Sequence, residues 1–130
     1  MTLFEIVALY VALNIILLII LSYRVSKTRK KHSVGIGDEG QAEVLRAIRV
    51  QGNFTEYAPL ALIGLFVMAG LDASPYWLHG IGITFTLGRA LHAIGFSANS
   101  GVSKGRLWGI ALTWSTLLVM AIYLLYNIFT

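Results

Sequence analysis

The sequence contains no cysteine among its 130 residues. This absence excludes disulfide bonds, catalysis by a protein thiolate and metal sites built on cysteine. Any thiol chemistry would therefore need a thiol that is brought by a substrate. Charged residues are also scarce, at 12% of the chain, against roughly 25% in an average soluble domain. Proline occurs only twice, so long helices can run with few interruptions.

Hydrophobic residues are abundant instead, at 57% of the chain, and they are gathered in long runs. Such runs are typical of helices that cross a membrane. We therefore predict an all-α membrane protein, a four-transmembrane-helix bundle that forms a single domain over residues 1–130. The predicted helices span about residues 3–23, 41–69, 76–96 and 107–128. We predict no metal site.

The basic residues are concentrated in two predicted loops. Five of the ten lie between Arg24 and Lys31, beside the first apolar run, and we expect a loop from Arg24 to Gly40. This placement favours contact with anionic lipid and not with nucleic acid. The other basic loop, Asn99 to Gly105, is followed by Arg106. Because basic loops stay in the cytoplasm, we predict that both termini of this multi-pass protein are non-cytoplasmic.

Polar side chains follow one face of the second predicted helix. Arg46, Arg49, Asn53 and Glu56 are spaced 3, 4 and 3 residues apart, which places them within an arc of roughly 80°. Glu43 extends this polar stripe at its start. Charges are costly in hydrocarbon, so the stripe must face protein or a water-filled cavity. Two interpretations stay open: a salt-bridge network that holds helices together, or a binding site for a zwitterionic ligand.

The third predicted helix carries Arg89 and His92 on one face, at the same depth as the stripe. The pair favours a structural role and a binding site equally. Asn14, in the middle of the first apolar run, is either an interhelical hydrogen-bonding group or a substrate contact. Gly88 and Gly95 are seven residues apart and predict close approach of a neighbouring helix.

Two segments resemble the family of membrane-associated proteins in eicosanoid and glutathione metabolism (MAPEG). Arg49, Asn53, Glu56 and Pro59 match its second-helix signature, and GRALHAIGF, residues 88–96, is similar to its third-helix segment. The resemblance implies a homotrimer of four-helix subunits. It also implies that glutathione, as co-substrate, binds between subunits near the cytoplasmic side. The residues implied to contact glutathione are Arg49, Asn53, Glu56, Tyr57, Arg89 and His92, and the stripe adds Arg46 to this predicted set.

The resemblance further implies a glutathione-dependent transferase or peroxidase that acts on a lipophilic electrophile from the bilayer. The short bacterial members are the most similar, which implies a bacterial inner membrane. Arg106 is the predicted catalytic residue, with Arg89 as the alternative, although the family's thiol-activating arginine falls nearest Gly105. Phe96 stands where a tyrosine is common in the family. The alternative function is a non-catalytic MAPEG-like protein that binds a lipid or a partner. A small exporter is a weaker alternative, because it would require a carboxylate in the middle of the first helix, where this chain has Asn14.

Overall fold

A computed structural model describes residues 1–98 and 101–130, which form four α-helices and no strand. The helices are α1 (Leu3–His32), α2 (Ala42–Gly70), α3 (Pro75–Ala98) and α4 (Lys104–Phe129). The prediction of an all-α fold is confirmed. Within the predicted loop Asn99–Gly105, Asn99 and Ser100 lie outside the described residues, and α4 begins at Lys104, so that Gly105 is helical.

α1 continues past its predicted end at Tyr23, so the basic segment from Arg24 to His32 is helix and the predicted loop was wrong over those residues. Residues 33–40 of the predicted loop do lie outside the helices. Lysine and arginine are good helix formers, and their charge is favourable near a helix C-terminus. The last turn of α1 contains Arg29, Lys30, Lys31 and His32. The helix stops at Ser33, which has a left-handed φ of 56° and donates its N–H to the last turn of carbonyls.

The first turn of α1 is fixed by reciprocal capping. Thr2 Oγ1 accepts a hydrogen bond from Glu5 N at 3.2 Å, and Thr2 N donates to Glu5 Oε2 at 2.7 Å. This arrangement satisfies two backbone donors that a helix start would otherwise leave without partners.

The connection between α1 and α2 is short and is held by an ion pair and a hydrogen bond to Glu43. Lys31 Nζ and His32 Nε2 each lie 2.7 Å from Glu43 Oε2. The chain reverses through Gly37 and Gly40, whose φ values of 62° and 77° suit glycine best. Glu43 therefore joins α1 to the start of α2, and the stripe on α2 effectively begins at Arg46.

Three helices, α1, α2 and α4, are long and apolar enough to cross a membrane. Among the described residues α3 falls short of that criterion, and its apolar course is interrupted by Arg89 and His92. Large hydrophobic side chains such as Ile19, Leu60 and Ile94 are exposed on the outside of the bundle. Lipid is the solvent that such a surface requires. The fourth crossing, by α3, stays a prediction.

The core has two clusters, one towards each end of the bundle. We call "the basic end" the end where α1 and α3 finish and α2 and α4 begin. The cluster nearer the basic end includes Leu21, Phe54 and Phe85. The cluster at the opposite end includes Tyr10 and Met68. The two clusters fix the helices around the polar groups that lie towards the basic end.

α3 and α4 pack backbone to backbone through glycines. A Cβ added at Gly109 of α4 would lie 2.6 Å from the carbonyl oxygen of Gly88 and 2.6 Å from His92 Cβ. One added at Gly95 would lie 2.8 Å from the carbonyl carbon of Gly105. The close approach predicted from Gly88 and Gly95 is confirmed, and it presses the His92 segment against α4.

Candidate functional site

The polar stripe of α2 divides into an inward and an outward part. Asn53 is half-buried and faces α3, whereas Arg49 and Glu56 lie on the outside of the single chain. Arg49 Nη2 is 3.5 Å from Glu56 Oε1, and the two side chains are 53% and 52% exposed. Arg46 is half-buried. The two parts therefore have different surroundings and can have different roles.

Arg89 lies at the centre of the inward part, with none of its surface exposed (0%). Its Nη2 donates a 2.6 Å hydrogen bond to Asn53 Oδ1, and its Nη1 donates a 3.4 Å bond to Thr113 Oγ1. The guanidinium carbon also lies 5.3 Å from the centre of the Tyr57 ring. A charge at this depth is tolerated only with such partners. Arg89 thus links α3 to α2 and to α4.

The bond from Arg89 determines the orientation of the Asn53 amide. A guanidinium has donors only, so the Asn53 atom that it meets must be the oxygen. The two N–H donors of Asn53 Nδ2 are left for another partner. Within the described residues Arg89 therefore orients the Asn53 amide and so positions the Nδ2 donor. This role is additional to any direct contact of Arg89 with a ligand.

His92 and Arg106 meet across the aromatic ring of Phe96. The His92 and Phe96 rings are 5.7 Å apart in an edge-on arrangement. The guanidinium carbon of Arg106 lies 3.9 Å from the centre of the Phe96 ring, in cation–π contact. Phe96 cannot offer the hydroxyl of a tyrosine, but its ring face holds Arg106 in place. His92 is buried, and its Nδ1 has no hydrogen-bond partner among the described residues.

These groups share one groove between α2, α3 and α4 near the basic end. Its volume is about 350 Å³, within the range of small-molecule sites. The groove is lined by Asn53, Tyr57, His92, Val102, Arg106, Leu107, Ile110 and Trp114. Three predicted glutathione contacts and the predicted catalytic residue therefore lie around a single space, beside apolar side chains of α4.

Comparison with known proteins identifies the family of the chain. The family model of the MAPEG family matches residues 7–126. The chain belongs to the MAPEG family. It is 35% identical over 115 residues to the inner membrane protein YecN of Escherichia coli strain K12, covering 88% of this chain and 86% of the relative. YecN of E. coli O6:H1 gives the same values. The resemblance stated from the sequence is confirmed, and the protein is a multi-pass membrane protein.

The predicted site residues of this MAPEG-family chain do not all come together within one subunit. Asn53, Tyr57, His92 and Arg106 line the groove. Arg89 lies behind it, in contact with Asn53, while Arg49 and Glu56 pair with each other on the outer surface. The predicted binding set thus includes one group that reaches the groove and another that faces away from the chain.

Sequence reasoning missed two residues of α4. Thr113 is fully buried and accepts the Arg89 bond. Trp114 Nε1 donates to Tyr57 Oη at 3.1 Å and closes one side of the groove. The spacing of small residues at Gly105, Gly109 and Thr113 is the signal that would have placed this face of α4 against α3.

A mid-membrane polar group is explained by helix packing. Asn14 Nδ2 donates to the Tyr10 carbonyl oxygen at 2.8 Å and to Thr86 Oγ1 at 2.9 Å. The interhelical interpretation of Asn14 is therefore confirmed.

Among residues 1–98 and 101–130, no group of three or more histidine, aspartate or glutamate side chains is placed to hold a metal ion.

Proposed function

We propose that the protein binds glutathione as a co-substrate and acts as a membrane transferase or peroxidase on a lipophilic electrophile. The observation that carries the proposal is the groove, in which Asn53, His92 and Arg106 face the same space as Leu107 and Trp114 of α4. The groove offers polar side chains to a thiol compound and apolar side chains to an apolar acceptor. The relatives named as inner membrane proteins support an inner-membrane location. The concentration of lysine and arginine at the basic end favours a cytoplasmic position for that end.

The chemistry of the stripe suits glutathione. Glutathione carries two carboxylates and one ammonium group, so its recognition calls for cations, neutral donors and an anion close together. Arg49 and Glu56 supply one charge of each sign, and Asn53 Nδ2 supplies neutral donors. Arginine is well shaped for carboxylates because its N–H groups form a planar fork.

The outward pair supports a homotrimer in which glutathione lies between neighbouring subunits. Arg49 and Glu56 are about half exposed on a single chain, although α2 is one of the membrane-crossing candidates. Lipid is a poor neighbour for both groups. A second subunit would cover them and complete the site. Native mass spectrometry from mild detergent should show a trimer, whereas a stable monomer that binds glutathione would contradict this arrangement.

Binding is tested by calorimetry with glutathione in detergent. Arg49→Ala and Glu56→Ala should each weaken affinity by ~2–5 kcal/mol, because each leaves a desolvated charge without its partner. Asn127→Ala, at an exposed position near the end of α4, should bind like the parent protein. His79 is a poorer control because its ring nitrogen is hydrogen-bonded to Tyr10 at 2.7 Å. Parent-like affinity in both stripe variants would assign the stripe to helix packing alone.

Arg106 is the proposed activator of the glutathione thiol. A free thiol has a pKa of about 8.5, so only a few per cent is thiolate near neutrality. A guanidinium ~4 Å away contributes ~4 kcal/mol at an effective dielectric of ~20, enough to lower that pKa by up to about three. The resulting thiolate attacks the electrophile, and the new bond to sulfur forms as the electrophile's leaving group departs with its electron pair. The thiol proton leaves to solvent.

The activation step is tested by following thiolate absorbance of bound glutathione against pH. Arg106→Gln should raise the pKa of the bound thiol and lower turnover, with affinity nearly unchanged.

The cation–π contact of Arg106 with Phe96 at 3.9 Å favours a second candidate function. This candidate is a non-catalytic protein that binds a lipid or a partner and uses Arg106 for helix packing. Normal turnover in Arg106→Gln would exclude Arg106 as the activator. A parent protein that never ionises the thiol would favour that second candidate.

A further inference from the structure

We propose that the end of α1 and the start of α2 form a binding site for the headgroup of an anionic phospholipid. The site is separate from the groove and does not depend on glutathione. It is a cavity of about 610 Å³ at the basic end. The cavity is lined by Ile20, Tyr23, Arg24, Lys27, Thr28, Lys31 and Glu43.

The α1 side of this cavity is a single helix face that changes from apolar to cationic. Its α1 residues recur at intervals of one, three and four positions, which keeps them on one side of the helix. Ile20 and Tyr23 are exposed and continue the lipid-facing surface of Ile16 and Ile19. The cations follow in the next turns. This order matches a phospholipid, whose acyl chains lie beside the apolar turns and whose phosphate lies beside the cations.

The cations of the cavity differ in how far they are already engaged. Lys31 Nζ is 2.7 Å from Glu43 Oε2. Arg24 Nη2 donates to the carbonyl oxygen of Ser97 at 3.4 Å, which ties α1 to the end of α3 and leaves the other N–H groups of Arg24 available. Lys27 has no hydrogen bond or ion pair with any described side chain.

The charge of the cavity selects the lipid class. The three cations, Arg24, Lys27 and Lys31, exceed the single carboxylate of Glu43 by two positive charges. An anionic headgroup such as that of phosphatidylglycerol is attracted by this excess. The ammonium of phosphatidylethanolamine would be repelled by the same cations. Free phosphate lacks acyl chains for the apolar wall, so we expect it to bind far more weakly than the lipid.

The test is native mass spectrometry of the purified protein with phosphatidylglycerol or phosphatidylethanolamine. Lys27→Gln should weaken phosphatidylglycerol binding about fivefold, the effect of one interfacial cation, and should leave phosphatidylethanolamine binding unchanged. Lys30→Gln is the matched control, because Lys30 is also exposed near the end of α1 but does not line the cavity. Its phosphatidylglycerol affinity should stay within about twofold of the parent's.

Each outcome supports or overturns the site. Equal losses in Lys27→Gln and Lys30→Gln would mean diffuse attraction between a basic surface and anionic lipid, and no site. Displacement of the lipid by millimolar inorganic phosphate would mean a phosphate pocket in which the apolar wall plays no part. A change in subunit number in Lys27→Gln, with no lipid discrimination in the parent, would mean that the cavity is a contact between copies of the chain.

Discussion

The hydrogen bond from Arg89 to Asn53 should be a main support of the bundle, and Asn53→Leu tests this. The substitution removes the acceptor that lies 2.6 Å from Arg89 Nη2. Of its partners in the described part of the chain, the guanidinium then keeps the longer 3.4 Å bond to Thr113 Oγ1 and the face of the Tyr57 ring. Arg89 is fully buried, so water cannot replace the lost partner without opening the bundle.

The expected loss in free energy of unfolding is about 2–4 kcal/mol. A hydrogen bond to a charged group contributes ~1.5–3 kcal/mol, and breaking a buried charged contact by removing one partner costs up to ~3–5 kcal/mol. The assay is reversible unfolding in mixed detergent micelles, followed by circular dichroism. Asn127→Leu is the matched control, because Asn127 is exposed and its one side-chain hydrogen bond within residues 1–98 and 101–130 is to the Tyr123 carbonyl of its own helix. We expect the control to lie within about 0.5 kcal/mol of the parent.

A second change separates loss of the bond from loss of packing. In the double variant Asn53→Leu with Arg89→Met, the buried charge is gone and both positions are apolar. Such replacements are often neutral or stabilising, so the double variant should unfold at a higher denaturant concentration than Asn53→Leu alone. The reasoning is refuted if Asn53→Leu is as stable as the Asn127→Leu control, or if the double variant shows the sum of two losses.

Two further predictions concern helix packing and topology. Gly109→Ala should destabilise the protein by ~1–3 kcal/mol, since backbone atoms of α3 occupy the space of the new methyl group. The control Gly80→Ala, which has open space around it, should be neutral or stabilising in the same unfolding assay. A cysteine at Ser74 should react with an impermeant thiol reagent outside intact cells and one at Ser33 should not. The parent is unreactive because it contains no cysteine. Labelling of the cysteine introduced at Ser33 would show that the orientation is opposite to the predicted one.

The helical fold and most helix boundaries were predictable because apolar runs and glycine spacing carry that information. The end of α1 was not. A cluster of lysine and arginine after an apolar run fits a cytoplasmic loop and a cytoplasmic helix extension equally well. The turns at Gly37 and Gly40 lie further on, and no proline or glycine interrupts the chain before Gly35. That continuity was the better guide, since lysine and arginine extend a helix readily.

The candidate site was predictable as a set of residues but not as an arrangement. Spacing places Arg46, Arg49, Asn53 and Glu56 on one face of α2. It does not say that Asn53 turns towards Arg89 while Arg49 turns outward. That division depends on the rotation of α2 against α3, which is determined by close packing elsewhere in the bundle. The partner groups on α4, including Thr113, carry no charge, so only the spacing of small residues marks that face of the helix in the sequence.

The two parts of the stripe have different requirements, and this difference bears on assembly. The inward part finds most of its partners within the chain, because Arg89 contacts Asn53, Thr113 and the Tyr57 ring. Of its buried atoms, Arg89 Nε and His92 Nδ1 have no hydrogen-bond partner among the described residues. Among the described residues, the one ion pair of Arg49 and Glu56 is the 3.5 Å contact that joins them to each other. Solvent that would screen these charges is scarce in a membrane. A single subunit therefore forms the groove with its own residues but leaves the charged pair Arg49 and Glu56 uncovered. We expect a neighbouring subunit or the charged groups of glutathione to cover it, and binding and assembly should then weaken together when either charge of the pair is removed.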